Sequence, residues 1–192
     1  MAAGSACVGV VIACLILSAS DADALNVTFI NIGQGDAALL RMPGGKTMVI
    51  DGGGSAAYSG ADLGETVFVP YLQRHGVRKI DVAVLSHYDK DHAQGIAAAL
   101  RDMTVSELIL PYRPESCAES YKAEIEALAA QKGTNIHYFT DGAALNFGGS
   151  LAASILWPTW EAAKNSAHSE NNKSLVVKVS YGEMDLLFTG DI

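Results

Sequence analysis

Two histidines and two aspartates crowd into six consecutive positions, where His87, Asp89, Asp91 and His92 form the pattern H-x-D-x-D-H. Imidazole nitrogen and carboxylate oxygen are natural zinc ligands, and carboxylates also suit manganese. Four such groups in so short a stretch exceed what one tetrahedral site takes from one loop, so the spacing points to two adjacent cations. A solvated polar loop would account for the residue types but not for the apolar run "VAVL" that leads directly into them. A calcium loop shares the alternation of Asp89 and Asp91. It fails at Ala93, which stands where the third oxygen ligand is needed, and the apolar stretch that follows supplies no terminal Glu.

Elements of regular structure must position these groups. "NVTFINI", "AALLRM" and "KTMVID" read as strands, the last two joined through "PGG" as a hairpin, which suggests an antiparallel start. "PYLQRHG" reads as a short helix with Pro70 in its first turn and Gly76 just past its end. "IDVAVLS" is a buried-type strand and "AQGIAAALR" a helix, which places the H-x-D-x-D-H motif in the loop between them. "ELIL" is another buried strand. Ser116 to Glu119 form a capping box opening a helix with Tyr121, Ile125, Leu128 and Ala129 on one face and Gly133 at its end. "NIHYF", "LAASILW", "SLVVKVS" and "MDLLFTG" read as strands. The order predicts a mixed α/β (α+β) domain of packed sheets with helices outside.

The composition, 192 residues with 49% hydrophobic and 18% charged, fits one globular domain. Its formal net charge is −8 and its basic residues are scattered, which counts against a function needing a basic nucleic-acid-binding stripe. The first twenty residues carry no charge, and Ala22 and Ala24 follow in a cleavage-like pattern. Residues 1–24 therefore read as a signal peptide or membrane anchor, and residues 25–192 as the domain of an exported protein, extracytoplasmic, secreted or membrane-anchored. Cys7 and Cys14 fall in the leader. Cys117 stands alone after it, so no intramolecular disulfide and no cysteine-based metal site is expected there. The chain stops at "FTGDI" directly after an apolar strand, which leads us to expect a domain truncated at its C-terminus.

The H-x-D-x-D-H segment resembles the H-x-H-x-D-H signature of metallo-β-lactamase-fold hydrolases, with Asp89 in place of the second histidine. "FTGD", Phe188 to Asp191, resembles their strand-end aspartate. Together with "GQGD", "IDGG" and "NNKSLVV", these motifs are similar to the extracytoplasmic hydrolase domain of ComEC-type DNA-uptake competence proteins, over nearly all of residues 26–192.

The resemblance implies an αββα sandwich holding two divalent cations, zinc or alternatively manganese. His87 and Asp89 would bind the first and Asp91 and His92 the second, with Asp191 bridging or completing them. Asp51 would support the ligands by hydrogen bonding, although a turn-forming Asp before glycines fits the local sequence equally well. Gln34 and Asp36 of "GQGD" match a hallmark of the subgroup whose role does not follow from the sequence. His168 reads as a loop residue, and the family's last histidine would lie beyond Ile192.

The resemblance implies hydrolysis by a bridging, metal-bound hydroxide, with Asp91 orienting the water, so no nucleophilic Ser or Cys is needed. Lys90 could touch a phosphate or simply be solvated. A phosphodiesterase or nuclease acting on single-stranded DNA or another phosphodiester is the leading expectation. A secreted hydrolase of a lactone, β-lactam or envelope phosphoester is the second, and a catalytically inactive extracellular interaction module the third.

Overall fold

The structure is a computed structural model that describes residues 24–33, 35–55, 61–114, 120–165 and 167–192. The leader up to residue 23, Gln34, Cys117 and the capping box at Ser116 to Glu119 lie outside the described residues.

A six-stranded sheet is laid down in chain order from β1 (Asn26–Phe29), β2 (Ala37–Arg41), β3 (Thr47–Gly52), β4 (Lys79–Val84), β5 (Thr104–Pro111) and β6 (Asn135–Phe139). Its first three strands are antiparallel, as the hairpin signal predicts, and β3 through β6 run parallel. Parallel neighbours need crossovers. α1 (Val69–Arg74), α2 (Lys90–Asp102) and α3 (Ser120–Lys132) supply them. The helix expected at "PYLQRHG" starts earlier than the sequence suggests, as a single π turn over Gly64–Phe68 that runs into α1.

A second, wholly antiparallel sheet has the order β10 (Met184–Phe188), β9 (Val176–Tyr181), β8 (Leu151–Trp157), β7 (Ala144–Gly148). β7 and the five-residue helix α4 (Trp160–Lys164) are not expected from sequence. "ALNFG" is short, lies at a sheet edge and buries little, so it carries a weak strand pattern.

The two faces of the first sheet explain its continuous apolar runs. Leu39, Val49, Ala83 and Leu108 align across four strands, at most 1% exposed, and face the helices with Ile96, Leu100 and Ile125. Their neighbours Leu40, Met48, Val84 and Ile109 point the other way, against Leu151, Ile155, Val177 and Val179 of the second sheet. Helices thus cover one face of a two-sheet sandwich, consistent with the α/β class and metallo-β-lactamase-like architecture read from the sequence.

At one place the helix layer comes exceptionally close to the sheet. A Cβ on Gly95 of α2 would lie 2.0 Å from the carbonyl oxygen of Gly52, and Gly95 N donates to Gly53 O at 3.0 Å. The glycines of "IDGG" therefore let the first turns of α2 rest on the end of β3.

Candidate metal centre

The parallel strands β3 and β4 deliver Asp51 and Ser86 side by side at the end of the first sheet. The motif is not wholly in a loop, as expected from sequence. His87 and Tyr88 occupy the turn, Asp89 is the N-cap, and Lys90, Asp91 and His92 lie in the first turn of α2. Ala93 N donates to Asp89 O at 2.9 Å, so helical bonding begins within the motif, and Asp91 sits where the helix dipole favours an acid.

Asp51 is the hub. It is 2% exposed, and its φ of 55° makes it the one non-glycine residue with positive φ among the described residues. Aspartate tolerates that region better than most residues, at a cost of about 1–3 kcal/mol. One carboxylate oxygen accepts from Ser86 N at 2.7 Å, and the other lies 3.0 Å from Nδ1 of His92. This contact makes Nδ1 the protonated nitrogen of His92 and turns Nε2 toward the site. Nδ1 of His87 is held in the same way by Ser86 Oγ at 3.0 Å. Ser86 also accepts from Leu175 N at 2.8 Å, which ties the segment before β9 to the centre.

The outcome is two buried imidazoles, 0% and 1% exposed, with ring centroids 4.1 Å apart and neither Nε2 atom hydrogen-bonded. Asp191 Oδ1 approaches His92 Nε2 to 3.1 Å without forming a hydrogen bond. Ligand atoms of His87, His92 and Asp191 all lie within 4.8 Å of one another. Asp191 gets there because Gly190 (φ +54°) fits between Ser86 and Ser174, where a Cβ would stand 2.9 Å from both side chains. Two N donors and one carboxylate, with orphaned nitrogens aimed at a common point, suit zinc or manganese.

The other expected ligands are placed differently. Asp89 Oδ2 lies 3.6 Å from His87 Nε2. Asp91 belongs to neither cluster of ligand-type atoms among the described residues. The second cluster joins Asp36, Asp51 and His92. His168 belongs to neither cluster and, with Trp157, Asn172, Val176 and Ile192, lines a cavity. Asn171, close by in sequence, reaches Asp191 Oδ2 with its amide at 3.4 Å.

Charge is tuned by burial and proximity. Burial would lower the pKa of His92, but the hydrogen bond and charge of Asp51, with Asp191 and Asp91, outweigh it and hold the imidazole at about 9. Burial, reinforced by the His92 charge, pushes His87 down. Burial also pushes Asp36 and Asp89 above the usual carboxylate range. The cation-free centre therefore carries one neutral and one protonated imidazole at neutral pH.

A buried support escaped the sequence reading. Arg113, 3% exposed, forks onto Glu170 with bonds of 2.9 and 3.0 Å, donates to Tyr112 O and Lys173 O, and lies 5.8 Å from the ring centroid of Tyr88. It clamps the segment before β9 to the end of β5 beside the motif turn. Nothing around "YRPE" marks that arginine as buried. Its partner is 57 residues away.

Comparison with known proteins bears on the fold and the family resemblance. Residues 30–105 match the model of the Metallo-beta-lactamase superfamily. The chain is 31% identical over 176 residues to ComE operon protein 3 of Bacillus subtilis (strain 168) and 30% identical over 165 residues to Recombination protein 2 of Haemophilus influenzae, each match covering 86% of the chain. It spans only 22% and 18% of the length of these relatives. Among solved structures, a Cronobacter sakazakii metallo-β-lactamase (HARLDQ motif mutant S60) matches with TM-score 0.52 and 17% identity, over 83% of this chain and 55% of that one. Zn(2+)-bound PqqB from Methylobacterium extorquens matches with TM-score 0.50 and 12% identity, over 79% and 51%. At such identities these structures speak to the fold alone. The chain thus has the metallo-β-lactamase fold, and its sequence bears out the ComEC-type resemblance by matching one segment each of ComE operon protein 3 and Recombination protein 2.

Proposed function

We propose that the chain is a divalent-cation-dependent hydrolase of phosphodiesters, with single-stranded DNA as the substrate that the competence-type resemblance implies. The observation that carries this reading is the pair of buried Nε2 atoms of His87 and His92, neither hydrogen-bonded, that converge with the Asp191 carboxylate. A buried polar atom without a hydrogen-bond partner, such as Nε2 of His87, costs about 1–3 kcal/mol, and a bound cation offsets that cost.

In this reading His87, His92 and Asp191 hold cation, and Asp89, beside His87, adds a carboxylate at the same end. Asp51 keeps the proton on Nδ1 of His92, so that Nε2 is the coordinating atom. Asp91, one residue before His92 on α2, orients water. Zinc or manganese ions, when bound, polarise the ester and make water a stronger nucleophile. The acidic balance of the chain disfavours tight DNA binding, while bound dications make the site itself locally positive. The uncharged first twenty residues support placement outside the cytoplasm or at a membrane. No helix among the described residues is long and apolar enough to cross one.

Purified chain loaded with Mn2+ or Zn2+ is expected to cleave bis(p-nitrophenyl) phosphate and labelled single-stranded DNA. Turnover should fall roughly 100-fold or more in His92→Ala and Asp191→Asn. Absence of cation binding would overturn the metal-dependent reading. Binding without cleavage of either substrate would overturn the phosphodiester assignment.

A further inference from the structure

We infer that Asp36 is a cation-binding residue of this centre, contributing a carboxylate from outside the H-x-D-x-D-H segment. The inference rests on the metal-dependent reading above and names a ligand that the motif does not contain.

Asp36 lies between β1 and β2, directly after Gly35. Gly35 has φ +82°, and a Cβ there would stand 1.8 Å from the carbonyl oxygen of Asp91, so the turn is pressed onto the first turn of α2. Only glycine accepts both that backbone conformation and that approach. On the other side, Gly53 N donates to the Asp36 carbonyl oxygen at 2.8 Å, which ties the residue to the strand end that carries Asp51. The β2–β3 register shifts at Ala37/Ala38, immediately after Asp36, and an irregularity there re-aims the side chains around it.

The backbone is thus held between the two elements that supply Asp51 and His92. A ligand atom of Asp36 comes within 4.8 Å of one on each of them. The carboxylate also feels the charges of Asp191 and His87, and with Asp51, Phe188 and Gly190 it borders a cavity of about 120 Å3. Three acids therefore surround the His92 imidazole, which is 1% exposed and whose Nε2 has no hydrogen-bond partner. A single imidazolium offsets only part of the repulsion among these carboxylates, and a divalent cation supplies more positive charge at the same place.

The test is a cation titration. The 192-residue chain stripped with EDTA is titrated calorimetrically with Zn2+ and with Mn2+, as wild type, Asp36→Asn and Asp36→Glu. Asp36→Asn is expected to bind at least one equivalent about tenfold or more weakly, while Asp36→Glu retains most of the affinity. The cation-free Asp36→Asn protein should melt no lower than wild type, because burial and the neighbouring acids together outweigh the attraction of His92 for that carboxylate. Equal isotherms for wild type and Asp36→Asn would overturn the inference. So would failure of Asp36→Asn to fold, or a drop in its cation-free melting temperature, either of which would make Asp36 a scaffold residue. If wild type binds neither cation, the metal-dependent reading itself fails, an outcome distinct from equal binding.

Discussion

His92 makes two opposing demands on pH. Its pKa is raised from 6.5 to about 9 because Asp51, Asp191 and Asp91 together outweigh burial, so its protonation stabilises the cation-free fold fully below about pH 6.5. That stabilisation, about 3 kcal/mol for a shift of this size, is lost as pH rises through 9. Cation binding runs the other way, because Nε2 must be free of a proton. Affinity for Zn2+ or Mn2+ is therefore expected to climb about tenfold per pH unit up to about 9. Denaturant melts of the stripped protein and calorimetry in buffers of different ionisation enthalpy read the two trends separately. Asp51→Asn keeps a residue that tolerates positive φ but removes the paired charge, so both trends should flatten. An unchanged pH profile in that variant would mean that Asp51 does not set the state of His92.

At the scale of elements, the centre depends on how α2 and the segment before β9 are seated. Gly95→Ala places a methyl group against the Gly52 carbonyl and must lift the first turns of α2 away from β3. A loss of about 1–3 kcal/mol in chemical denaturation is expected, together with weaker cation binding, because His92 travels with that helix. Full stability in Gly95→Ala would contradict the close approach. Arg113→Ala leaves the largely buried Glu170 with only Lys173 Nζ, 3.6 Å away, as a charge partner, and a loss of about 2–3 kcal/mol is expected, below the full cost of breaking an isolated buried pair. Replacing Arg113 and Glu170 together by apolar residues should cost much less than Arg113→Ala alone. Equal losses in the single and double variants would show that the pair is not the clamp. The sequence reading reached the helices but not these seatings. A glycine's close neighbour and a buried arginine's partner are both set by residues far away in the chain.

At the scale of the molecule, a cation that binds only the folded centre stabilises the whole chain. At a free concentration about 100 times the dissociation constant, the gain is about 2.7 kcal/mol. For a chain of this length that corresponds to a rise of roughly 5–10 °C in melting temperature, reversed by EDTA. A melting temperature that does not respond to Zn2+, Mn2+ or EDTA would count against a cation site in the folded state. The architecture itself was largely legible. Continuous apolar runs such as "VAVL" and "LILP" mark strands buried on both faces, and "PGG" marks a hairpin. β7 and α4 were not legible, because each is short and exposes much of its surface.

By itself, the sequence determined the chemistry on offer. Its residue types and spacing offered His87, Asp89, Asp91 and His92 as candidate cation ligands, the family resemblance added Asp191, and its apolar runs placed the first four at the end of a buried strand. Only the tertiary structure decided which of them meet. It sets His87, His92 and Asp191 together, puts Asp89 beside His87, leaves Asp91 on the helix outside both clusters, and brings Asp36 in from a turn some fifty residues earlier. The reason is geometric. Spacing along the chain fixes what a segment can present, whereas a coordination point a few ångströms wide is defined by the contact of strands and helices at Gly35, Gly95 and Gly190.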